Sequence, residues 1–159
     1  MATIAARLLE AGITLPVAPP PAANYLPFNR AGSLVHVAGQ IPKVGDKLHF
    51  VGKLGKEFKV EEGQECARIC TINFLAQVQA AAGGNLDNVK SIQKMNVFVN
   101  SAEDFTQQPA VANGVSDLLV KIGGDAWRHA RSAVGVAQLP FGVAVEIDGV
   151  VELKDGAKL

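Results

Sequence analysis

The chain has 159 residues and a mass of 16.7 kDa, which is the size of one folded domain. Fifteen basic and fifteen acidic residues cancel, which argues against a basic tail or patch for nucleic acid or membrane surfaces. Charged residues make up 19% of the chain and hydrophobic residues 48%, whereas globular domains typically carry about 25% charged residues. This shortage of charge favours a surface that is buried against further copies of the chain.

The cysteines and the apolar runs bear on the compartment. Cys66 and Cys70 lie four residues apart in an apolar helical pattern, which indicates core packing rather than a disulfide framework or a zinc site. No run approaches the roughly 18 apolar residues of a membrane span. The N-terminal segment, which includes Glu10, lacks the pattern of a secretory signal. We therefore expect a cytoplasmic protein without a membrane partner.

The first predicted element is a helix over residues 2–11, where apolar side chains have helical spacing and Gly12 ends the pattern. Five of the eight prolines follow in a short stretch, so this stretch must be extended. We expect residues 1–24 to form an N-terminal helix and Pro-rich arm. Residues 25–159 are then expected to form a single domain.

The next elements are two strands and a long helix. Apolar runs at residues 33–40 and 49–58 flank a turn that contains glycine, which predicts a β-hairpin. Residues 61–82 form the clearest helix, because apolar side chains recur there at steps of three and four. A pair of glycines follows and ends it.

The second half of the chain is predicted to contain a strand, a helix and two further strands. A strand at 89–99 precedes a helix at 109–120 that begins with proline. Strands at 131–138 and 143–153 flank a turn at 139–142, which predicts a second hairpin. The order of elements predicts an α+β fold, with a mixed sheet and two main helices packed on one of its faces.

The predicted second hairpin places two ionisable residues on one face of the sheet. Alternation along its strands puts Glu146 and Arg131 among small residues, on the face away from the helices. That face is either exposed or packed against another subunit, and the low charge favours packing. If Gln138 pairs with Val143, Arg131 lies opposite Val150, about 13 Å from Glu146 along the strand. The two can then serve one pocket only by reaching along the face or by coming from different subunits.

Each of these two residues has a chemical and a structural interpretation. The planar guanidinium of Arg131 can bind a small organic acid through two parallel hydrogen bonds, or it can form an interface salt bridge. Glu146 can act as a general base for water, or it can be a structural partner of Arg131 or a lysine. Burial would raise the pKa of Glu146 towards a useful range.

Other common chemistries lack their motifs. The chain has no glycine-rich phosphate loop and no His-Glu-x-x-His pair. His36, His49 and His129 are scattered, so we expect no metal site. The two cysteines have apolar neighbours, which disfavours an activated thiolate.

Three sequence segments together resemble a known family. The first is Arg131-Ser-Ala-Val-Gly-Val-Ala-Gln-Leu-Pro-Phe-Gly-Val-Ala-Val-Glu-Ile-Asp148, and the second is Val37-Ala-Gly-Gln-Ile-Pro42. The third is Asn96-Val-Phe-Val-Asn100, followed by Asp104-Phe105 and Asn113. In this order they resemble the RidA/YjgF family of imine and enamine deaminases, also called L-PSP endoribonucleases. The resemblance covers about residues 25–153.

The resemblance implies a chorismate-mutase-like subunit of a homotrimer, whose sheets form a central barrel with pockets at the subunit interfaces. Arg131 matches the arginine that holds the substrate carboxylate, and Glu146 matches the acid that orients or activates water. Tyr25, Gly39 and Asn113 match further residues of the pocket, although Asn113 has one extra residue between it and the arginine. No cofactor is implied.

Two features depart from the family pattern. Ala133 stands where many members carry a reactive cysteine, so we expect no thiol-modification chemistry. The segment before Tyr25 is longer than in compact members, and it could cover a pocket edge or another subunit. The chain therefore resembles a divergent branch of the family.

The resemblance implies hydrolysis of small enamines or imines, such as 2-aminoacrylate, to a keto acid and ammonia. A non-catalytic binder of 2-keto acids would use the same pocket, and an interaction role would follow if the arm filled it. The older family name implies a third function, that of an endoribonuclease or translation inhibitor. The neutral charge and the lack of a histidine pair disfavour an RNA partner.

Overall fold

The central element of the fold is a five-stranded mixed sheet. The computed structural model describes residues 1–157, so the last two residues of the predicted 25–159 domain lie outside the described part. In spatial order the strands are β1 (Phe28–Ala31), β2 (Leu34–Gln40), β7 (Val145–Leu153), β5 (Val89–Asn100) and β6 (Ala130–Val136). Strands β5 and β6 are parallel, and the other neighbours are antiparallel. A separate two-residue hairpin pairs β3 (Lys43–Val44) with β4 (Lys47–Leu48).

Within residues 1–157, three α-helices complete the fold, namely α1 (Ile4–Glu10), α2 (Val60–Ala81) and α3 (Gln108–Gly123). Helices α2 and α3 pack against each other and against one face of the sheet. The predicted α+β class, with a mixed sheet and two main helices on one face, is confirmed. No helix in residues 1–157 combines the length and the apolar content needed to cross a membrane.

Local sequence signals account for the long helix α2. The Glu62 carboxylate accepts the backbone N–H of Lys59 at 2.8 Å, which satisfies one of the donors left free where the helix begins. Its apolar stripe is buried, as the spacing predicted.

Cys66 and Cys70 are free and buried, and burial raises the pKa of the Cys70 thiol well above its usual value. Their predicted role in the core is confirmed.

The prediction of a strand at residues 49–58 was wrong. This segment is a loop tied to the sheet by isolated bridges at Val51 and Leu54. Gly52 and Gly55 adopt positive φ angles of 146° and 82°, which a strand does not accommodate. The short strand β1, which begins one residue after Pro27 and just beyond the expected Pro-rich arm, was missed because the prolines before it masked the alternation.

The predicted hairpin of the last two strands was also wrong. Strand β6 pairs with β5 in parallel, and β7 lies on the other side of β5. Val150 therefore pairs with His36 and Lys94 rather than with Arg131. The turn at 139–142 does form, with Gly142 N–H donating to Leu139 O at 3.0 Å, but it redirects the chain across the end of β5 instead of folding β7 back onto β6.

Asn100, at the end of β5, fastens this crossing connection. Its side chain is buried, and Nδ2 donates to the carbonyl oxygens of Val143 at 3.1 Å and Gly142 at 3.4 Å. Its Oδ1 accepts from the Lys53 ammonium at 2.6 Å, and the same ammonium donates to Ala137 O at 2.5 Å. One buried amide thus ties β5, the 49–58 loop and the start of β7 together.

The N-terminal segment lies against the helical layer. Leu8 and Ile13 belong to the buried core, and the guanidinium of Arg7 donates to Ile122 O at 3.0 Å near the end of α3. A cation there is favourable, because the last carbonyls of a helix lack backbone partners and carry partial negative charge. Further along, Pro19 O accepts from Gln77 of α2 at 3.3 Å. The boundary predicted at residue 24 stays a prediction.

Replacement of Asn100 by alanine is expected to destabilise the protein by about 2–3 kcal/mol, because several polar groups, one of them fully buried, lose their partner together. Urea denaturation followed by circular dichroism measures the change. Asn29→Ala, at an exposed position of β1, is the control and should change stability by less than about 0.5 kcal/mol. A loss below about 1 kcal/mol for Asn100→Ala would show that the amide does not fasten the connection.

Candidate functional site

Arg131 lies on the edge strand β6 with its side chain turned towards α3. Its Nη1 donates to Asn113 Oδ1 at 3.0 Å and to Ser116 Oγ at 3.1 Å, and its Nη2 donates to Pro109 O at 3.3 Å. Asn113 and Ser116 are three residues apart, which places both on the same side of α3. The structure thus brings together two of the predicted site residues, Arg131 and Asn113.

These contacts leave part of the guanidinium open. An arginine has five N–H donors, and three of those in Arg131 are used on α3. One N–H on Nε and one on Nη2 have no partner among residues 1–157. Nε and Nη2 share one edge of the guanidinium, and such an edge can bind a carboxylate through two parallel hydrogen bonds. Arg131 is only partly buried and lines a depression at the surface.

Glu146 lies on the opposite face of the sheet. Its neighbours on β7, Val145 and Ile147, point into the core, so alternation turns Glu146 away from the helices. Within the described chain its carboxylate accepts no hydrogen bond and forms no salt bridge. Burial raises the pKa of Glu146 above its ordinary value, and the nearby charge of Asp148 adds to the effect.

Gly39 lies directly beside this carboxylate. The pairing of β2 with β7 shifts register between Val37 and Gln40, which is the signature of a β-bulge. A Cβ atom on Gly39 would collide with Glu146 Oε1, so the half-buried position of the carboxylate requires glycine here. Glu146 and Gly39 are therefore a second pair of predicted site residues that the structure brings together.

Tyr25 is half-exposed, with 52% of its surface accessible. It lies two residues before Pro27, whose carbonyl accepts the backbone N–H of Ala38 at 2.9 Å. The segment that carries Tyr25 therefore approaches the same end of β2 as Gly39. The tyrosine itself makes no side-chain hydrogen bond within the described residues.

Arg131 and Glu146 do not share a face, contrary to the sequence prediction. Along β5, Arg131 pairs with Met95 while Glu146 pairs with Phe98, and β5 itself lies between their two strands. Their backbones are therefore about 10 Å apart along the strands and about 10 Å apart across them, with the side chains on opposite sides. Within one subunit they therefore cannot line one pocket. Of the two arrangements considered from the sequence, only the one in which different subunits supply the two residues remains.

The composition of the sheet face that carries Glu146 also differs from the prediction. Ala133 and Gly135 turn towards the helices with Arg131, whereas Ser132, Val134 and Val136 occupy the Glu146 face. The error follows from the wrong pairing of β6. This face still exposes apolar surface, including Val134 at 46% and Leu34 at 37%.

The sequence-based reasoning missed Ser116 and His129. Both line a shallow depression of about 340 Å³ beside Arg131, together with Val120 and Arg128. Ser116 is three residues after Asn113, and His129 is two residues before Arg131, so helical and strand spacing could have found them. No group of three or more histidine, cysteine, aspartate or glutamate residues within 1–157 could hold a metal ion.

Comparison with known proteins gives a consistent match. A family model described as YjgF/chorismate-mutase-like, which also carries the endoribonuclease name, matches residues 5–148. The protein TCP17 of Trypanosoma cruzi is 50% identical over 153 residues, covering 96% of this chain and 95% of that protein. The mitochondrial protein MMF1 of Saccharomyces cerevisiae is 30% identical and covers 94% and 93%. A 2-iminobutanoate/2-iminopropanoate deaminase of Dermatophagoides farinae is 28% identical and covers 89% and 95%.

Solved structures agree with this match. The crystal structure of Atu1372 from Agrobacterium tumefaciens, whose function is described as unknown, superposes with a TM-score of 0.89 at 44% identity, covering 95% of this chain and 92% of that one. E. coli TdcF with bound serine superposes with a TM-score of 0.62 at 27% identity, covering 87% and 94%.

The pKa of Glu146 is expected to lie above the ordinary glutamate value. Because burial is the larger cause, Asp148→Asn should lower this pKa but leave it raised. A titration of the side-chain carboxyl carbons by NMR measures both values. Glu152 is the internal control, because its hydrogen bonds with Lys90 and Ser91 lower its pKa. A Glu146 pKa at or below that of Glu152 would contradict the described environment.

Proposed function

The chain belongs to the YjgF/chorismate-mutase-like family, and on that premise we propose that it hydrolyses small enamine or imine intermediates of the 2-aminoacrylate type to keto acids and ammonia. The observation that carries the proposal is the guanidinium of Arg131, which α3 holds by three hydrogen bonds while one edge stays open. That edge fits the carboxylate that every such substrate carries. The deaminase relative, and the serine bound to TdcF, are consistent with a small amino-acid-like ligand.

The proposed reaction needs positioning more than strong chemistry. An enamine first becomes the imine as a proton moves from its nitrogen to its terminal carbon. Water then adds to the imine carbon, the nitrogen takes up protons, and the resulting amino alcohol loses ammonia as the carbon–oxygen double bond forms. Glu146 is the residue that we propose to orient the water and to accept its proton. Its raised pKa brings the carboxyl closer to the range in which it can both take and return a proton. The reaction as proposed requires no cofactor.

Because Arg131 and Glu146 lie on opposite faces of one subunit, we propose that each pocket combines Arg131 of one subunit with Glu146 of another. A homotrimer with pockets at its interfaces, as the family resemblance implies, would provide this arrangement. Asn113 then supports the arginine, while Gly39 and Tyr25 flank the glutamate. The exposed apolar side chains of the Glu146 face would be covered in such an assembly.

Experiment can distinguish the proposed function from two alternative functions, and it can also test the cellular compartment. A non-catalytic binder of 2-keto acids would use the same open edge of Arg131, and it would bind without turnover. The endoribonuclease name has little support from this chain, because its charges cancel and RNA binding relies on clustered positive charge. We propose the cytoplasm as the compartment, although the yeast relative MMF1 is named as mitochondrial.

Arg131→Ala is expected to abolish the acceleration of imine hydrolysis, because the carboxylate of the substrate loses its partner. The assay supplies imines by oxidising L-amino acids with an amino-acid oxidase and follows the release of ammonia. Arg68→Ala is the matched control, since Arg68 is a partly exposed arginine of α2 whose one ion pair within residues 1–157 is with Glu65. Unchanged turnover in Arg131→Ala, with the fold intact, would reject the assignment.

Glu146→Gln is expected to lower kcat by about 100-fold, as for the loss of a general base, while the affinity for pyruvate stays within about twofold. In the wild type, kcat should fall as the pH drops through the raised pKa of Glu146, because only the ionised carboxylate accepts a proton. Steady-state kinetics across pH and calorimetric pyruvate binding separate the two effects. A Glu146→Gln variant with wild-type kcat would leave Glu146 without a catalytic role.

A further inference from the structure

A chain of hydrogen bonds runs behind Arg131 and extends beyond the residues that the family resemblance identified. We infer that Ser116 and His129 are positioning residues, which fix the guanidinium of Arg131 so that its open edge faces the ligand. This inference rests on the proposed function only in taking a carboxylate as that ligand. Neither residue is placed in contact with substrate.

The direction of each hydrogen bond follows from the groups involved. His129 Nδ1 lies 2.7 Å from Trp127 O, and a carbonyl can only accept, so Nδ1 carries a proton. In the neutral ring Nε2 is then an acceptor, and it lies 2.9 Å from Ser116 Oγ. The hydroxyl therefore donates its only proton to Nε2. Its oxygen remains free to accept from Arg131 Nη1 at 3.1 Å.

This chain is anchored at a rigid point. Trp127 is 2% exposed and sits against Gly123, where any Cβ atom would collide with the indole ring. The carbonyl that orients His129 therefore belongs to one of the best-packed residues of the core. Along the path from Trp127 O through His129 and Ser116 to Arg131 Nη1, each donor meets an acceptor, which gives the network a single consistent arrangement.

The network gives a function to the neutral form of His129. A protonated ring would have donors at both nitrogens, and Ser116 would then have to accept from Nε2 and turn its own proton elsewhere. Burial lowers the pKa of His129 below its ordinary value, and the positive charge of Arg131 lowers it further. The ring is thus held neutral at pH 7, and the network weakens as the pH falls through this lowered pKa.

In the described chain, two charged side chains close to His129 in sequence lie near the ring, those of Arg128 and Arg131. Arg131 follows it on β6. Arg128, which lines the same depression, is paired with the carboxylate of Asp125 at 2.9 Å. The two cations both favour the neutral ring, and the carboxylate already has a partner.

The elements packed against β6 add little charge. Helix α3 presents the neutral Ser116 and Val120 to the depression, while its charged Asp117 and Lys121 line a different groove, against α2. On β5, Lys94 turns to the opposite face of the sheet, where it contacts a serine of β6. Within the described part of the chain, no carboxylate is therefore placed to stabilise a protonated His129.

The experiment compares Ser116→Ala and His129→Gln with Ser132→Ala, a serine of β6 on the opposite face. The glutamine amide oxygen can replace Nε2 as an acceptor but does not titrate. Nitrogen-15 NMR of the Arg131 Nη groups reports whether the guanidinium is held or rotates. Calorimetry measures pyruvate affinity from pH 5 to 8, and the imine assay gives KM and kcat.

The inference predicts resolved Arg131 Nη signals in the wild type and in Ser132→Ala, and averaged signals in Ser116→Ala. It also predicts an affinity for pyruvate about tenfold weaker in Ser116→Ala, from the loss of one hydrogen bond to a charged group, with KM rising similarly and kcat little changed. At pH 7.5, His129→Gln should bind pyruvate as tightly as the wild type does. As the pH falls towards 5, the affinity of the wild type for pyruvate should weaken more than that of His129→Gln.

Identical Arg131 signals in the wild type and Ser116→Ala would overturn the inference, whatever the activity. So would an equal loss of affinity at low pH in the wild type and His129→Gln. If the wild type neither hydrolyses imines nor binds pyruvate, while Ser116→Ala still releases the guanidinium, the positioning network stands and the proposed function fails.

Discussion

The parallel pairing of β6 with β5 is the constraint from which the geometry of the site follows. Helix α3 makes the crossover between these two strands and then lies against β6, so Arg131 emerges next to Asn113 and Ser116. The same topology puts β7 on the other side of β5 and turns Glu146 to the opposite face. A hairpin of β6 and β7 would have put both residues on one face, and one subunit could have formed the pocket alone.

The two halves of the candidate site are prepared in different ways. The arginine is held by hydrogen bonds from a helix, and its charge remains available because its partners are neutral oxygens rather than carboxylates. The glutamate is confined instead by packing over Gly39, where no side chain could fit, and burial raises its pKa. Within residues 1–157 the cation has no acidic partner and the carboxylate has no basic one. The two groups are therefore complementary, which fits the proposed pairing of two subunits around one ligand.

The fold was predictable from sequence where the signals were local. Helix α2 follows from a long apolar period and a glycine pair, and β5 follows from its β-branched residues. Strand order was not predictable, because the turn at 139–142 forms in either topology and only distant pairing with β5 separates them. Arg131 and Glu146 could be identified as candidates from their residue types. The contact of Arg131 with Asn113 joins residues 18 apart, which no local periodicity reveals.

Mixing two inactive variants tests the central claim, that one pocket uses Arg131 and Glu146 from different subunits. Arg131→Ala and Glu146→Gln would be unfolded together in equal amounts, refolded, and assayed for imine hydrolysis. In a cyclic homotrimer with random assembly, about a quarter of the pockets should regain both residues, with activity to match. Each variant refolded alone should stay inactive. A mixture as inactive as its components, although the subunits have exchanged, would contradict the account.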